Sequence, residues 1–312
     1  GICNIAIGQL ALGNLTTGSQ NIAIGDTAMG AAVVTGSDNI AIGKNAADAI
    51  TCGAQNVAIQ KNALGASTTG CYNIAIGVEA LQTSVTGKCN IAIGKAALGG
   101  ADTTGIDNIA MGASAMSALT TGCYNIAMGI NALYSATIGK CNVVIGTNAM
   151  NLVTTSQADN NIAIGELALS GGASSSGHYN IAIGRGAMQA HWTTAYNNIG
   201  IGLNALSCVT TGHNNIAIGY RSLGCCITTG TYNVGVGVET LCGLTSGAYN
   251  FAVGHYALQN TTTGSCNIAL GRLAGYDITT LSDIINIGNA ARQNTAGVAC
   301  IVATCLMSAQ FT

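Results

Sequence analysis

The five residues NIAIG, first met at Asn4 to Gly8, return at Asn21 and Asn39 and keep recurring almost to the end of the 312-residue chain. With its glycine as marker, the word ends at positions 8, 25, 43, 77, 94, 112, 129, 146, 165, 184, 202, 219, 237, 254, 271 and 288, and Gln60 replaces the glycine once. That makes seventeen repeats spaced 17 to 19 residues apart. A fixed period of this kind identifies an array, and it limits the fold more than any other feature of the chain.

Each column of the repeat has its own requirement. The first position is Asn in 16 of 17 repeats and fails only at Ile284. The two positions flanking the centre, Ile5 and Ile7 in the first repeat, are apolar throughout, and the centre is Ala in 13, with Val144, Gly200, Gly235 and Asn286 as exceptions. A second word, Ala-Leu as in Ala11-Leu12, follows the glycine, and a turn such as Thr16-Thr17-Gly18 precedes the next Asn. Alternation over so short a span predicts a strand with Ile5 and Ile7 on one face and Asn4 and Ala6 on the other. Gly8 would end the strand at a corner, and the Thr-Thr-Gly segment has turn chemistry.

A period this short excludes a βαβ unit and a four-stranded propeller blade, which need about 30 and about 40 residues. It fits one coil of an all-β parallel β-solenoid, or β-roll, of about seventeen coils at ~4.7 Å each, a rod roughly 80 Å long. The array spans residues 1 to 294, and 295–312 reads as a C-terminal strand or docking tail. Stacked coils place like on like, so Asn4, Asn21, Asn39, Asn56, Asn73, Asn90, Asn108 and Asn125 are expected to form an amide ladder. Large Ile side chains suit a coil interior, which leaves Ala6, Ala23, Ala41, Ala58, Ala75, Ala92, Ala110 and Ala127 as a smooth outer strip for close packing between chains. In the opposite orientation Ala lines a narrow solenoid and the Ile columns face the partner.

Hydrophobic residues make up 49% of the chain and charged residues only 6%. No apolar run approaches the ~18 residues of a membrane span, so no membrane insertion is expected. The net charge of −2 offers no basic footprint for nucleic acid. The chain enters its first coil at Ile2-Cys3-Asn4, which suits a processed piece or ends stacked head to tail.

The tandem NIAIGxxAL…TTG words resemble the head repeats of trimeric autotransporter adhesins. With the closing segment SDIINIGNAA, they look still more like the repeat shafts of phage and viral tail fibres. The resemblance implies a left-handed, homotrimeric solenoid on a virion or outside a cell: a structural fibre or filament shaft with an adhesin or receptor-binding role. Its expected partners are further copies of itself, as a parallel trimer or head-to-tail polymer, and a glycan or cell-surface receptor.

No catalytic constellation stands out, and the chain reads as a protein that is not an enzyme and carries no cofactor or metal. The thirteen cysteines follow the repeat and show no zinc spacing, so small-residue packing is the expectation. A cross-coil disulfide between Cys71 and Cys89, or Cys123 and Cys141, is opposed by a one-residue offset. His178, Tyr179, Tyr196, His213, Tyr232 and Tyr249 fall just before the Asn, as a glycan-binding strip or a stacked ladder that stiffens the rod. A Thr column that includes Thr17, Thr35, Thr69, Thr104 and Thr121 raises an alternative function, an ice-binding solenoid face.

Overall fold

The computed structural model describes residues 1–153, 158–172, 177–189, 194–226, 228–292 and 301–303. Among them are eighteen three-residue strands and no helix. The chain divides into two compact units, Gly1–Glu166 and Leu167–Thr312. The first holds β1 (Ile5–Ile7) through β10 (Ile162–Ile164), and the second β11 (Ile181–Ile183) through β18 (Ile301–Ala303).

Both units are parallel β-solenoids. In the first, each strand pairs with the next in the same register, Ile5 on Ile22, Ala6 on Ala23 and Ile7 on Ile24, up to Ile162 on Val143. In the second the same register runs from Ile181 on Ile199 to β17 (Ile285–Ile287) and β18, where Ile285 pairs with Ile301. The sequence reading of a tail strand thus falls on 301–303, while the rest of 295–312 lies outside the described residues.

Four backbone positions per coil bend it closed. In the first coil Cys3, Gly8, Leu10 and Leu12 have φ of 59°, 126°, 57° and 50°, and later coils repeat the pattern. The marker glycine is demanded twice over. Its φ is left-handed, and a Cβ on Gly8 would lie 2.6 Å from the Gly25 carbonyl oxygen in the next coil. Gln60 holds the same place at φ 94°, a strained setting for a side-chain-bearing residue.

The interior reverses the expected orientation of the strand. Ala23, Ala41, Ala58, Ala75, Ala92, Ala110 and Ala127 are all buried within the single chain, and only Ala6 in the first coil is exposed. An outer Ala strip for chain packing is therefore ruled out. The reason is width: Leu and Met of the second word, such as Leu64, Leu81 and Met116, already fill the coil from the opposite wall. A Cβ on Gly235 would come within 2.8 Å of Ser222 Oγ, and one on Gly200 within 3.2 Å of Met188 Cγ. Opposite the wall of Leu and Met the inward position holds Ala or Gly in fifteen coils and nothing larger than Val144 or Asn286, so the longer Ile side chains point outward.

Candidate functional site: an outward isoleucine face

Because Ile flanks Ala on both sides, turning Ala inward turns two apolar side chains outward from every strand. In the first unit one column runs Ile5, Ile22, Ile40, Val57, Ile74 and on to Ile162, and the other runs Ile7, Ile24, Ile42, Ile59, Ile76 and on to Ile164. These residues are half-buried by their neighbours in the stack or exposed, Ile42 by 37%, Met128 by 38% and Ile145 by 38%. The second unit repeats the face with Ile218, Phe251, Ile268 and Ile287 among its exposed members. Strands ~4.8 Å apart carry side chains ~7 Å apart along each strand, so the ten strands of the first unit present an apolar band of roughly 340 Å². An apolar patch of a few hundred Å² is the size of the largest on a typical soluble monomer, and such patches are often functional.

The Asn column holds this face rigid. Asn21 Oδ1 accepts the Asn39 backbone N–H at 3.0 Å and Asn39 Nδ2 at 3.1 Å. Asn39 Nδ2 also donates to the Gly53 carbonyl at 2.9 Å, and Asn39 Oδ1 accepts from the Asn56 N–H at 3.1 Å. The unit recurs through Asn73, Asn90, Asn108 and Asn125, all buried, while Asn4 at the start of the ladder is half-buried and donates to the Gly18 carbonyl at 3.0 Å. Where Asn gives way to Ile284, its N–H still donates to Asn267 Oδ1 at 3.0 Å.

The aromatic residues stack into a ladder along the second unit. Tyr196 and His213 stack at 4.6 Å and 9°, His213 meets Tyr232 edge-on at 5.9 Å, and Tyr232 stacks on Tyr249 at 5.0 Å and 2°. His178 and Tyr179 touch edge to face at 6.0 Å. Each stacked pair covers one face of each ring, and Tyr179, Tyr196, Tyr232 and Tyr249 remain exposed. A further cluster, His255 stacked on Tyr256 at 3.7 Å with Tyr276 at 6.5 Å, was not anticipated from sequence, because its members fall in the irregular positions after the marker glycine.

The Thr column is outward, with Thr17, Thr35, Thr104 and Thr121 exposed and Thr69 half-buried. Several of its hydroxyls are engaged: Thr35 Oγ1 donates to the Thr51 carbonyl at 3.2 Å and Thr229 Oγ1 to the Thr245 carbonyl at 3.2 Å. Among the described residues Cys242 is buried in the core, but the other cysteines are exposed or half-buried and are not packed as small core residues. Cys3, Cys52, Cys89, Cys141 and Cys266 are exposed thiols, and Cys225 and Cys242, in adjacent coils, form a disulfide. Their separation of 17 residues is one repeat period, which was the available sequence signal.

Charged groups pair across coils at the corners. Lys44 Nζ lies 3.1 Å from Asp26, and that hydrogen bond, with one from Thr27, holds the Asp26 carboxyl below its ordinary range. Glu239 takes Arg221 at 3.5 Å and Gln259 Nε2 at 2.7 Å. Asp48 borders an open cleft of about 260 Å³ with Asn62, Gln82 and Thr83, and burial raises its carboxyl pKa. Among the described residues no group of metal-ligating side chains occurs, and no helix is long and apolar enough to cross a membrane. No known family model matches the chain, and no curated protein matches its sequence significantly.

Proposed function

We propose that the chain is a structural, non-enzymatic shaft of an extracellular or virion fibre, assembled when parallel copies pack along their isoleucine faces. The carrying observation is the outward two-column Ile face, unbroken by any charged side chain from β1 to β10. A partner that is to fill such a band must match a corrugation of ~4.8 Å repeated over many coils. A second copy in register meets that demand, whereas an ordinary globular surface does not. A band only two side chains wide suits a three-fold axis, and a left-handed homotrimer is the arrangement that the adhesin-head and tail-fibre resemblance implies. Receptor or glycan contacts then fall to the turns, away from the buried face.

The test is particle mass in solution with electron micrographs, on the wild type and on Ile91→Lys and Ile126→Lys. Three chains per rod for the wild type and single chains with unchanged circular dichroism for the variants are expected. A wild-type monomer overturns the proposal and brings forward ice binding by the Thr column, which needs no partner. Long filaments would make head-to-tail stacking the mode of assembly.

A further inference from the structure

Two pairs of free cysteines repeat the same placement in the first unit. Cys71 and Cys123 stand two residues before their Asn, Cys89 and Cys141 one residue before theirs, each pair in neighbouring coils. The backbone ties each pair together. The Cys89 N–H donates to the Cys71 carbonyl at 3.0 Å, and the Cys141 N–H to the Cys123 carbonyl at 3.1 Å. Cys89 and Cys141 are exposed and Cys71 and Cys123 half-buried, so all four sit at the outer surface of one corner.

The offset of one repeat position argued against a bond between them, because in a flat strand adjacent positions face opposite ways. This corner is not a strand. Cys89 and Cys141 adopt φ of 57° and 56°, which turns their side chains out of strand alternation. The linked pair elsewhere in the chain shows the offset to be compatible with a bond. Cys225 lies six residues after Gly219 and Cys242 five after Gly237, the Cys225 N–H donates to the Cys242 carbonyl at 3.2 Å, and their Cα atoms are 4.9 Å apart. That separation falls within the ~4.4–6.8 Å that a disulfide spans.

We infer that Cys71–Cys89 and Cys123–Cys141 are two cross-coil disulfide sites, staples that close when the chain meets an external disulfide. In the present state the Cys71 Sγ points to the Thr69 carbonyl at 3.5 Å and the Cys123 Sγ to the Thr121 carbonyl at 3.4 Å, so closure requires these two side chains to turn away from those carbonyls. With oxidised glutathione as oxidant, one cysteine thiolate attacks a glutathione sulfur and releases the first glutathione thiolate. Its partner then attacks the mixed disulfide and releases the second. Two protein thiols become one disulfide, and one oxidised glutathione becomes two reduced. Cys3, Cys52 and Cys266 have no cysteine at the same corner of a neighbouring coil and serve as internal controls.

Lys88 and Lys140 lie between the members of each pair, so trypsin separates them unless a disulfide holds them. The folded full chain is incubated with oxidised glutathione, alkylated under denaturing conditions, digested and mapped without reduction. The expected result is peptide 62–88 joined to 89–95 and 96–140 joined to 141–185, each two hydrogens lighter than the sum, with glutathione on Cys3, Cys52 and Cys266. In Cys89→Ser, Cys71 should revert to a glutathione-bearing or alkylatable thiol while the Cys123–Cys141 link persists. Separate peptides, with the four cysteines alkylated or glutathionylated like the controls, would overturn the inference, as would links scrambled among them.

Discussion

At the scale of the residue, departures from the repeat are coupled. Asn286 occupies the inward Ala position of its coil, fully buried, and neither its Oδ1 nor its Nδ2 has a partner. Gly275 occupies the Leu position one coil earlier, and a Cβ there would come 3.1 Å from Asn286 Nδ2. A Cβ at 275 would also meet Leu258 Cδ2 at 2.6 Å, so a leucine side chain there would compete with Leu258 and the Asn286 amide for the same space, and the two departures are expected to act as one volume exchange. An unpartnered buried amide costs about 1–3 kcal/mol. Asn286→Ala should therefore stabilise the second unit by about 1 kcal/mol once the small void it leaves is counted. Adding Gly275→Leu to it should stabilise further, whereas Gly275→Leu alone should destabilise by overpacking. Urea titration of the four chains measures the coupling, and simple additivity would refute the exchange.

At the scale of the element, the strands are only three residues long, too short to stand alone, and their cohesion comes from the stack. The Asn ladder supplies bonds that the short strands lack, one side chain serving an N–H and a carbonyl of the neighbouring coil. Asn108→Ala would strand the Asn125 N–H, now bonded to Asn108 Oδ1 at 3.1 Å, and the Gly122 carbonyl, now bonded to Asn108 Nδ2 at 2.9 Å. Two buried groups without partners imply a loss of at least about 2 kcal/mol. Hydrogen exchange should show it as faster exchange centred on Asn125, fading over the coils to either side. A uniform effect along the unit would mean that the ladder acts only through global stability.

At the scale of the whole molecule, inward and outward faces make opposite predictions for the same kind of change. Ala110→Glu places an unpaired carboxylate inside a coil with no room for it and should cost more than about 4 kcal/mol, read as loss of circular dichroism and protease resistance. In the proposed assembly, a charge on the outward face at Ile126 should leave the coil intact and act only on association. If Ala110→Glu were to dissociate folded chains instead of unfolding them, the burial of the Ala column would be wrong.

Much of this was legible in the chain itself. A period of 17 to 19 residues with an alternating tetrapeptide allows little besides a parallel β-solenoid, and like-on-like stacking makes an Asn column into a ladder whatever the details of the coil. Which strand face lies inside was not legible. Alternation separates Ile from Ala, but both are apolar, so polarity gives no direction, and size suggests the wrong one. The answer depends on how much of the coil the opposite wall already fills. The Leu and Met of the second word meet the strand only when the coil has closed, and that closure sends Ala inward and leaves the isoleucines outward. The corner cysteines follow the same logic: their spacing is in the sequence, but the left-handed backbone that brings an offset pair together exists only in the folded coil.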